Sequence, residues 1–255
     1  MKKFLLYAVL CCTVLALVIS GCAGPQETGQ EPGPQETEKL VMGTNADFPP
    51  FEFRNEENEV DGFDVDIAKA IAAALDKELV IEDMEFGGLT QALNSNRIDM
   101  AVAGITITEL RLEEVDFSEP YHFAGQTVVI REDEEGIEGV DDLEGKIVAV
   151  QLGTTGDLEA HERFPVENIR QYNKINEGFL DLANKRVDAI IIDIPVAERY
   201  IEIKGGCKTV GGAFTEEYFG IAVKKENTEL LAEINNVLAD LKESGKFDEL
   251  INKWF

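Results

Sequence analysis

From Lys39 onward two hydrophobic rhythms alternate along the chain. Short apolar runs of strand length, Leu40-Val41-Met42, Leu79-Val80-Ile81, Arg97 to Val102 and Lys146 to Val150, are separated by stretches whose apolar residues recur at helical spacing. Ile67, Ala68, Ile71, Ala74 and Leu75 form one such stripe, Leu89, Ala92 and Leu93 another, and Leu230 to Leu241 a long third. Strands that alternate with helices predict an α/β fold with a parallel or mixed sheet covered on both faces. Gln126 to Ile130 and Tyr218 to Val223 read as further strands. Val115 to Tyr121 reads as a turn-rich passage, and Ser244-Gly245 as a break before a short last helix ending at Trp254-Phe255.

The first 38 residues follow neither rhythm. Lys2 and Lys3 precede an apolar run from Phe4 to Ile19, the layout of an export signal rather than of a full membrane span. Ile19-Ser20-Gly21-Cys22 resembles the lipobox of bacterial and archaeal lipoproteins, which implies removal of residues 1–21 and lipidation of Cys22. The following Gly, Pro, Gln, Glu and Thr, with Gly24-Pro25-Gln26-Glu27-Thr28 repeated at Gly33 to Thr37, bury nothing and make residues 22–38 a tether. Cys11 and Cys12 leave with the signal, so Cys207 is the one thiol of the folded part and no internal disulfide is expected. With 255 residues and 44% hydrophobic content, the chain has material for one large or two modest domains. A net charge of -27 disfavours nucleic-acid binding and electrostatic docking on anionic lipid.

Candidate chemistry concentrates at Val102 to Arg111. An apolar run ending at Gly104 gives way to Thr106, Thr108 and a lone arginine, a strand leaving its sheet to start a helix. Threonine hydroxyls, freed backbone amides and the forked guanidinium of Arg111 together suit a carboxylate. The plainer reading has Thr106 and Glu109 as a capping box and Arg111 paired with Glu113 or Glu114. A second anion cradle is offered by Gly153-Thr154-Thr155-Gly156-Asp157, which lacks the lysine of a nucleotide P-loop. There is also an internal echo. Asn96-Arg97-Ile98-Asp99-Met100 matches Lys185-Arg186-Val187-Asp188-Ala189, and equal counting from Arg97 and Arg186 lands on Gly104 and Asp193, which therefore end equivalent strands in two similar lobes. Asp193, directly after Ile190-Ile191-Ile192, needs a cationic partner if it faces the site of Gly104; it also reads as the N-cap of the helix that begins at Ile194-Pro195, and the two roles are compatible. Phe48, after the first strand, lies where ligands collect in open α/β sheets, whereas Phe51 and Phe53 read as plugs for the sheet end. His122 and His161 form neither a triad nor a metal pair, and no cofactor is implied.

In register, five motifs resemble the polar amino-acid family of extracytoplasmic solute-binding proteins that serve ABC importers: Gly43 to Phe51, Gly62 to Asp66, Gly104 to Thr108 with Arg111, Gln151 to Thr155, and Lys253-Trp254-Phe255. The resemblance implies a two-lobed periplasmic binding protein type II fold with a two-stranded hinge and a discontinuous first lobe, residues 39–123 plus 219–255, around a second lobe at 124–218. It implies that Arg111 grips a ligand α-carboxylate with the amides of Thr106 and Thr155. Asp193, the Gly104 carbonyl and the Thr106 hydroxyl receive the α-ammonium, Phe48 and Phe86 sandwich the side chain, and Asn45 and Gln151 line its far end. The implied partners are a free polar L-amino acid, arginine or glutamine, an ABC permease with its cytoplasmic ATPase, and a membrane reached through the Cys22 lipid, outside the cytoplasm. Asp47 and Glu85 are the acids expected near the cleft. An enzyme on the same fold, a dehydratase or cell-wall lyase, is the alternative; it needs a marked general acid, which neither Asp47 nor Glu85 supplies.

Overall fold

The computed structural model describes residues 37–255; the expected export signal, Cys22 and the tether up to residue 36 lie outside the described residues. The chain forms β1 (Lys39–Thr44), β2 (Asp47–Phe48), β3 (Glu52–Arg54), β4 (Val60–Asp61), α1 (Phe63–Ala74), β5 (Glu78–Asp83), α2 (Leu89–Asn94), β6 (Met100–Ala101), α3 (Glu109–Glu114) and β7 (Val115–Phe117). It then passes through β8 (His122–Ala124) into β9 (Gln126–Arg131), β10 (Val148–Gln151), α4 (Thr155–Arg163), β11 (Ile169–Tyr172), α5 (Ile175–Ala183), β12 (Ala189–Asp193), α6 (Ile194–Lys204) and β13 (Cys207–Val210). The return is made by β14 (Glu217–Phe219), β15 (Ala222–Lys224), α7 (Thr228–Glu243) and α8 (Lys246–Trp254).

These strands build two five-stranded sheets, ordered β5-β1-β6-β15-β7 and β11-β10-β12-β9-β13. Three parallel strands followed by two antiparallel joins occur in the same order in both. The first sheet takes β15 from beyond the second, so the chain crosses between lobes twice, and the crossings pair as the two-stranded β8–β14 sheet. This is the α/β, two-lobed type II binding-protein fold with a hinge. Strands such as β9 and β12 are buried along their whole length, which is why they read as continuous apolar runs rather than alternating ones.

The sequence echo is a repeated construction. Asn96 and Lys185, after α2 and α5, both take left-handed φ values of 57° and 60°. Asp99 then donates its amide to the Val41 carbonyl at 2.8 Å and accepts the Val41 amide on its carboxylate at 2.7 Å. Asp188 does the same with Ile147, at 2.8 Å in both directions. Each aspartate therefore fixes the register of a central strand against its parallel neighbour, and with it the position at which that strand ends.

Two readings change. Val115–Phe117, expected as turn, is the edge strand β7, paired with β15. The expected strand Tyr218 to Val223 divides at Gly220, because its first half belongs to the hinge and its second to the first sheet. Gly220 lies so close to Ile107 that a Cβ there would stand 2.8 Å from its side chain, leaving space only for bare backbone at the crossing. The hinge meets the first lobe in an aromatic cluster. Phe51 packs edge-on against His122 at 5.0 Å and Phe219 at 5.1 Å, and Phe255 stacks on His122 at 4.8 Å. Burial in that cluster pushes His122 down to about 4, so it is a neutral packing group. Phe53 and Trp254 pack together at 5.8 Å, and the Trp254 indole donates to Asp66 at 3.0 Å, which ties the last helix to α1.

The paired register clamps generate a stability prediction. Asp99→Ala and Asp188→Ala each leave a strand amide without its acceptor and cost about 1 kcal/mol, with Asp188, the less exposed of the two, costing more. Urea midpoints of the ligand-free variants check this, and an unchanged midpoint for both would remove the clamps from the account.

Candidate functional site

Gly104 makes the first turn out of the sheet. Its φ is +53°, and a Cβ there would stand 2.9 Å from the ring of Phe48, so only glycine lets the strand end lie beneath that ring. Its amide donates to Asp64 Oδ2 at 2.9 Å, an oxygen that also accepts from Tyr121 at 2.9 Å, so the Gly104 peptide is held from behind. Asp64 shares its buried position with Glu52, and both side chains are fully enclosed. Burial and the neighbouring charge push Glu52 well above the ordinary carboxylate range, and burial raises Asp64 to about 6. Glu52 is thus the member of the pair that keeps its proton, which lets two carboxyls share one buried position.

Beyond Gly104, helix α3 is capped by Thr108, whose hydroxyl accepts the Arg111 amide at 3.2 Å; the expected cap at Thr106 is therefore replaced. Arg111 pairs with neither Glu113 nor Glu114. Its guanidinium donates to the Thr106 carbonyl at 2.8 Å and, across the cleft, to the Gly153 carbonyl at 3.1 Å, and it lies 5.3 Å over the ring of Phe86. Burial lowers it to about 10, and Asp193 and Glu217 oppose that fall, so it stays charged near neutrality. Thr106 bridges to the hinge strand opposite Phe219, with Ile107 and Gly220 supplying the flanking hydrogen bonds at 2.9 and 3.0 Å. That pattern turns the Thr106 amide toward the side on which its carbonyl meets Arg111. From the second lobe, Thr154 caps α4 and accepts from the Asp157 amide at 3.3 Å. Thr155, the first helical residue, is left with an amide that has no intrahelical acceptor.

Asp193 ends β12 and is the N-cap residue of α6, yet its side chain makes no capping bond. It is 4% exposed, and its Oδ1 has no hydrogen-bond partner among the described residues. Burial, reinforced by the charge of Glu217, pushes it up to about 7. A buried carboxylate with one free oxygen, facing an arginine across a cleft, can seat a cation.

These groups meet in one cavity between the two lobes. All nine residues expected at a ligand site line it: Asn45, Phe48, Phe86, Gly104, Thr106, Arg111, Gln151, Thr155 and Asp193. Glu52 lines it as well and was not foreseen, although alternation with Phe51 and Phe53 puts it on the opposite face of β3 from those plugs. Asp47 and Glu85 are engaged elsewhere. Asp47 accepts the Asn176 amide at 3.0 Å and its carbonyl takes the Tyr200 hydroxyl at 3.1 Å, while Glu85 accepts from Asn173 at 2.9 Å. Both acids are struts between the lobes rather than cavity groups. At the far end Gln151 donates to Asn45 Oδ1 at 2.7 Å and to the Asn173 carbonyl at 3.3 Å, and Asn45 donates to the Met84 carbonyl at 2.7 Å.

Comparison with known proteins agrees with this architecture. Residues 40–255 match the family described as bacterial extracellular solute-binding proteins, family 3. The arginine-binding extracellular protein ArtP of Bacillus subtilis is 35% identical over 259 aligned residues, covering 100% of this chain and 98% of that protein. A mutant of ArgBP from T. maritima superimposes with a TM-score of 0.82 at 44% identity, covering 85% of this chain and 95% of the other. An ancestral arginine-binding protein, solved bound to arginine and again bound to glutamine, gives TM-scores of 0.81 and 0.80 at 41% identity, over 85% and 86% of this chain and 98% and 99% of the other. These relatives are binding proteins, not enzymes. The chain belongs to the bacterial extracellular solute-binding proteins, family 3, as an amino-acid-binding member of the kind that serves ABC transporters.

Proposed function

We propose that this protein captures L-arginine outside the cytoplasm, anchored through a lipid on Cys22, and delivers it to an ABC permease. Arg111 with the amides of Thr106 and Thr155 takes the α-carboxylate, and Asp193 with the Gly104 carbonyl takes the α-ammonium. A zwitterion stripped of water needs a charged replacement at each end, and the two lobes supply one each. Phe48 and Phe86 form the walls between which the side chain lies.

The observation that carries the arginine reading is the hydrogen-bond inventory of the far wall. Both Gln151 amide hydrogens and one of Asn45 are committed to protein carbonyl oxygens, which leaves Gln151 Oε1 and a lone pair of Asn45 Oδ1 as acceptors beside one remaining Asn45 amide hydrogen. A wall with more free acceptors than donors suits a guanidinium, a group of donors only. Glutamine is the second reading, favoured by the neutrality of both far-wall amides.

Isothermal titration of the purified protein with arginine, lysine, histidine and glutamine tests the choice. Arginine is expected to bind most tightly, and tighter binding of glutamine overturns the far-wall argument. Arg111→Ala is expected to weaken every amino acid about 100-fold or more, the ~3 kcal/mol typical of breaking a buried charge pair. Asn45→Asp shifts preference further from glutamine toward arginine. Normal binding by Arg111→Ala would place the carboxylate elsewhere.

Binding is also linked to protons. In the ligand-free protein Asp193 titrates near 7, and an ammonium beside it favours the carboxylate, so its pKa falls in the complex. Ligand uptake near pH 7 therefore releases a proton, and affinity rises with pH up to about 7 and levels off above. Between pH 8 and pH 5 the Kd is expected to weaken about 10- to 100-fold, up to tenfold for each pH unit below the free pKa. Titrations in buffers of different ionisation enthalpy count the protons; a Kd independent of pH over that range contradicts the role given to Asp193. For the anchor, Cys22→Ser is expected to move the protein from the membrane fraction to the soluble fraction of the producing cells, and an unchanged distribution excludes that lipid.

A further inference from the structure

Glu217 stands at the start of the hinge strand β14 and is not one of the residues foreseen at the site. Its Oε2 accepts the hydroxyl of Thr106, from the first lobe, at 2.9 Å and the hydroxyl of Thr155, from the second, at 2.7 Å. Its Oε1 accepts the hydroxyl of Thr215 at 2.8 Å. Each hydroxyl has one hydrogen to give, so the 3.4 Å approach of the two threonine oxygens is a contact made by sharing an acceptor rather than a bond of its own. Thr155 is fixed in turn by the Gln126 side-chain amide at 3.0 Å, and the Gln126 backbone amide reaches Thr215 at 2.7 Å.

The arrangement spans the cleft. Thr106 leaves the first sheet and bridges to the hinge opposite Phe219, and Thr155 begins α4 and moves with the second lobe. Separating the lobes therefore pulls the two threonines apart and breaks their shared hold on the carboxylate, and the hinge itself carries the group that resists. Hydrogen bonds to an ionised carboxylate are the strong class of such bonds. The two residues gripped are also those whose amides face the carboxylate seat.

We propose that Glu217 is a closure latch: a hinge carboxylate that joins the threonines of the two lobes, holds the closed form without touching the ligand, and sets the amides of Thr106 and Thr155 in place. A latch of this kind raises affinity by favouring the binding-competent form, and it does so equally for every ligand that needs closure. The proposal rests on reading the cleft as one that closes on an amino acid.

The test compares Glu217→Ala and Glu217→Gln with the wild type in stopped-flow release, titration calorimetry and small-angle scattering without ligand. Glu217→Ala is expected to release arginine about tenfold faster and bind it about tenfold more weakly, to lose glutamine affinity by the same factor, and to shift ligand-free scattering toward the open form. Glu217→Gln offers a carbonyl oxygen to both threonines and an amide to Thr215, so it is expected to stay within about twofold of wild type. Release and scattering unchanged in Glu217→Ala, tighter binding, a factor that differs between arginine and glutamine, or equal loss in both variants overturns the latch. Should Glu217→Ala fail to fold, Thr155→Val breaks the same bond from the other lobe and is read by ligand-free scattering. That scattering arm is independent of ligand identity, so failure of the arginine reading and failure of the latch are distinguishable.

Discussion

A carboxylate that ends a strand inside a protein must be neutralised or matched, and Asp193 has no hydrogen-bond partner of its own on one of its two oxygens. Burial raises it to about 7 where an exposed aspartate stands near 4, so the ligand-free fold carries a standing cost at this position. A capping bond to α6 would have relieved it and is not made. The cost is tolerable because Arg111 lies across the same cavity, and in the proposed binding mode a ligand ammonium pairs the free oxygen. Much of the surrounding structure can be understood as the means of keeping that unfinished charge in one place.

Those means are duplicated. In each lobe a left-handed residue after a helix, then an aspartate that both donates to and accepts from a neighbouring strand, fixes where a central strand stops. The first strand leads through Val102 and Ala103 to Gly104 and the second ends at Asp193, so one lobe presents a bare peptide under an aromatic ring and the other a charge. Identical scaffolding thus delivers different chemistry to facing positions. The Gly104 peptide is held from behind by Asp64, whose neighbour Glu52 is pushed well above the ordinary carboxylate range, so its geometry is fixed without a full second charge in the cavity.

How much of this was legible in the chain depends on the range of the interaction concerned. Strand runs, helix stripes and the motif from Gly104 to Arg111 are local patterns, and the equivalence of Gly104 with Asp193 follows from counting along a repeat. The division at Gly220 was hidden, because it depends on the crowding of Ile107, more than a hundred residues away. The same holds for Asp47 and Glu85. Their sequence neighbourhood places them near the cleft, but Asn176 and Asn173 of the other lobe claim their oxygens. Glu52 left a readable trace in its alternation with Phe51 and Phe53. Glu217 left none, since Thr215-Glu216-Glu217 looks like any polar approach to a strand and its role exists only once two distant hydroxyls, of Thr106 and Thr155, converge on it.

The division of labour among these groups has a consequence for how such a cleft changes its ligand. In the proposed binding mode Arg111, Asp193 and the Gly104 carbonyl address atoms common to all α-amino acids. Asp47, Glu85 and Glu217 join the lobes to one another. Selectivity in that mode is left to the far wall, where Asn45 and Gln151 present whichever atoms their other hydrogen bonds leave over. Met84 and Asn173 provide the carbonyls that consume the amide hydrogens, so the polarity of the far wall is decided by backbone geometry one layer behind it. Altering that backing layer would turn the same two amides from acceptors into donors while the zwitterion seat and the closure contacts remained as they are.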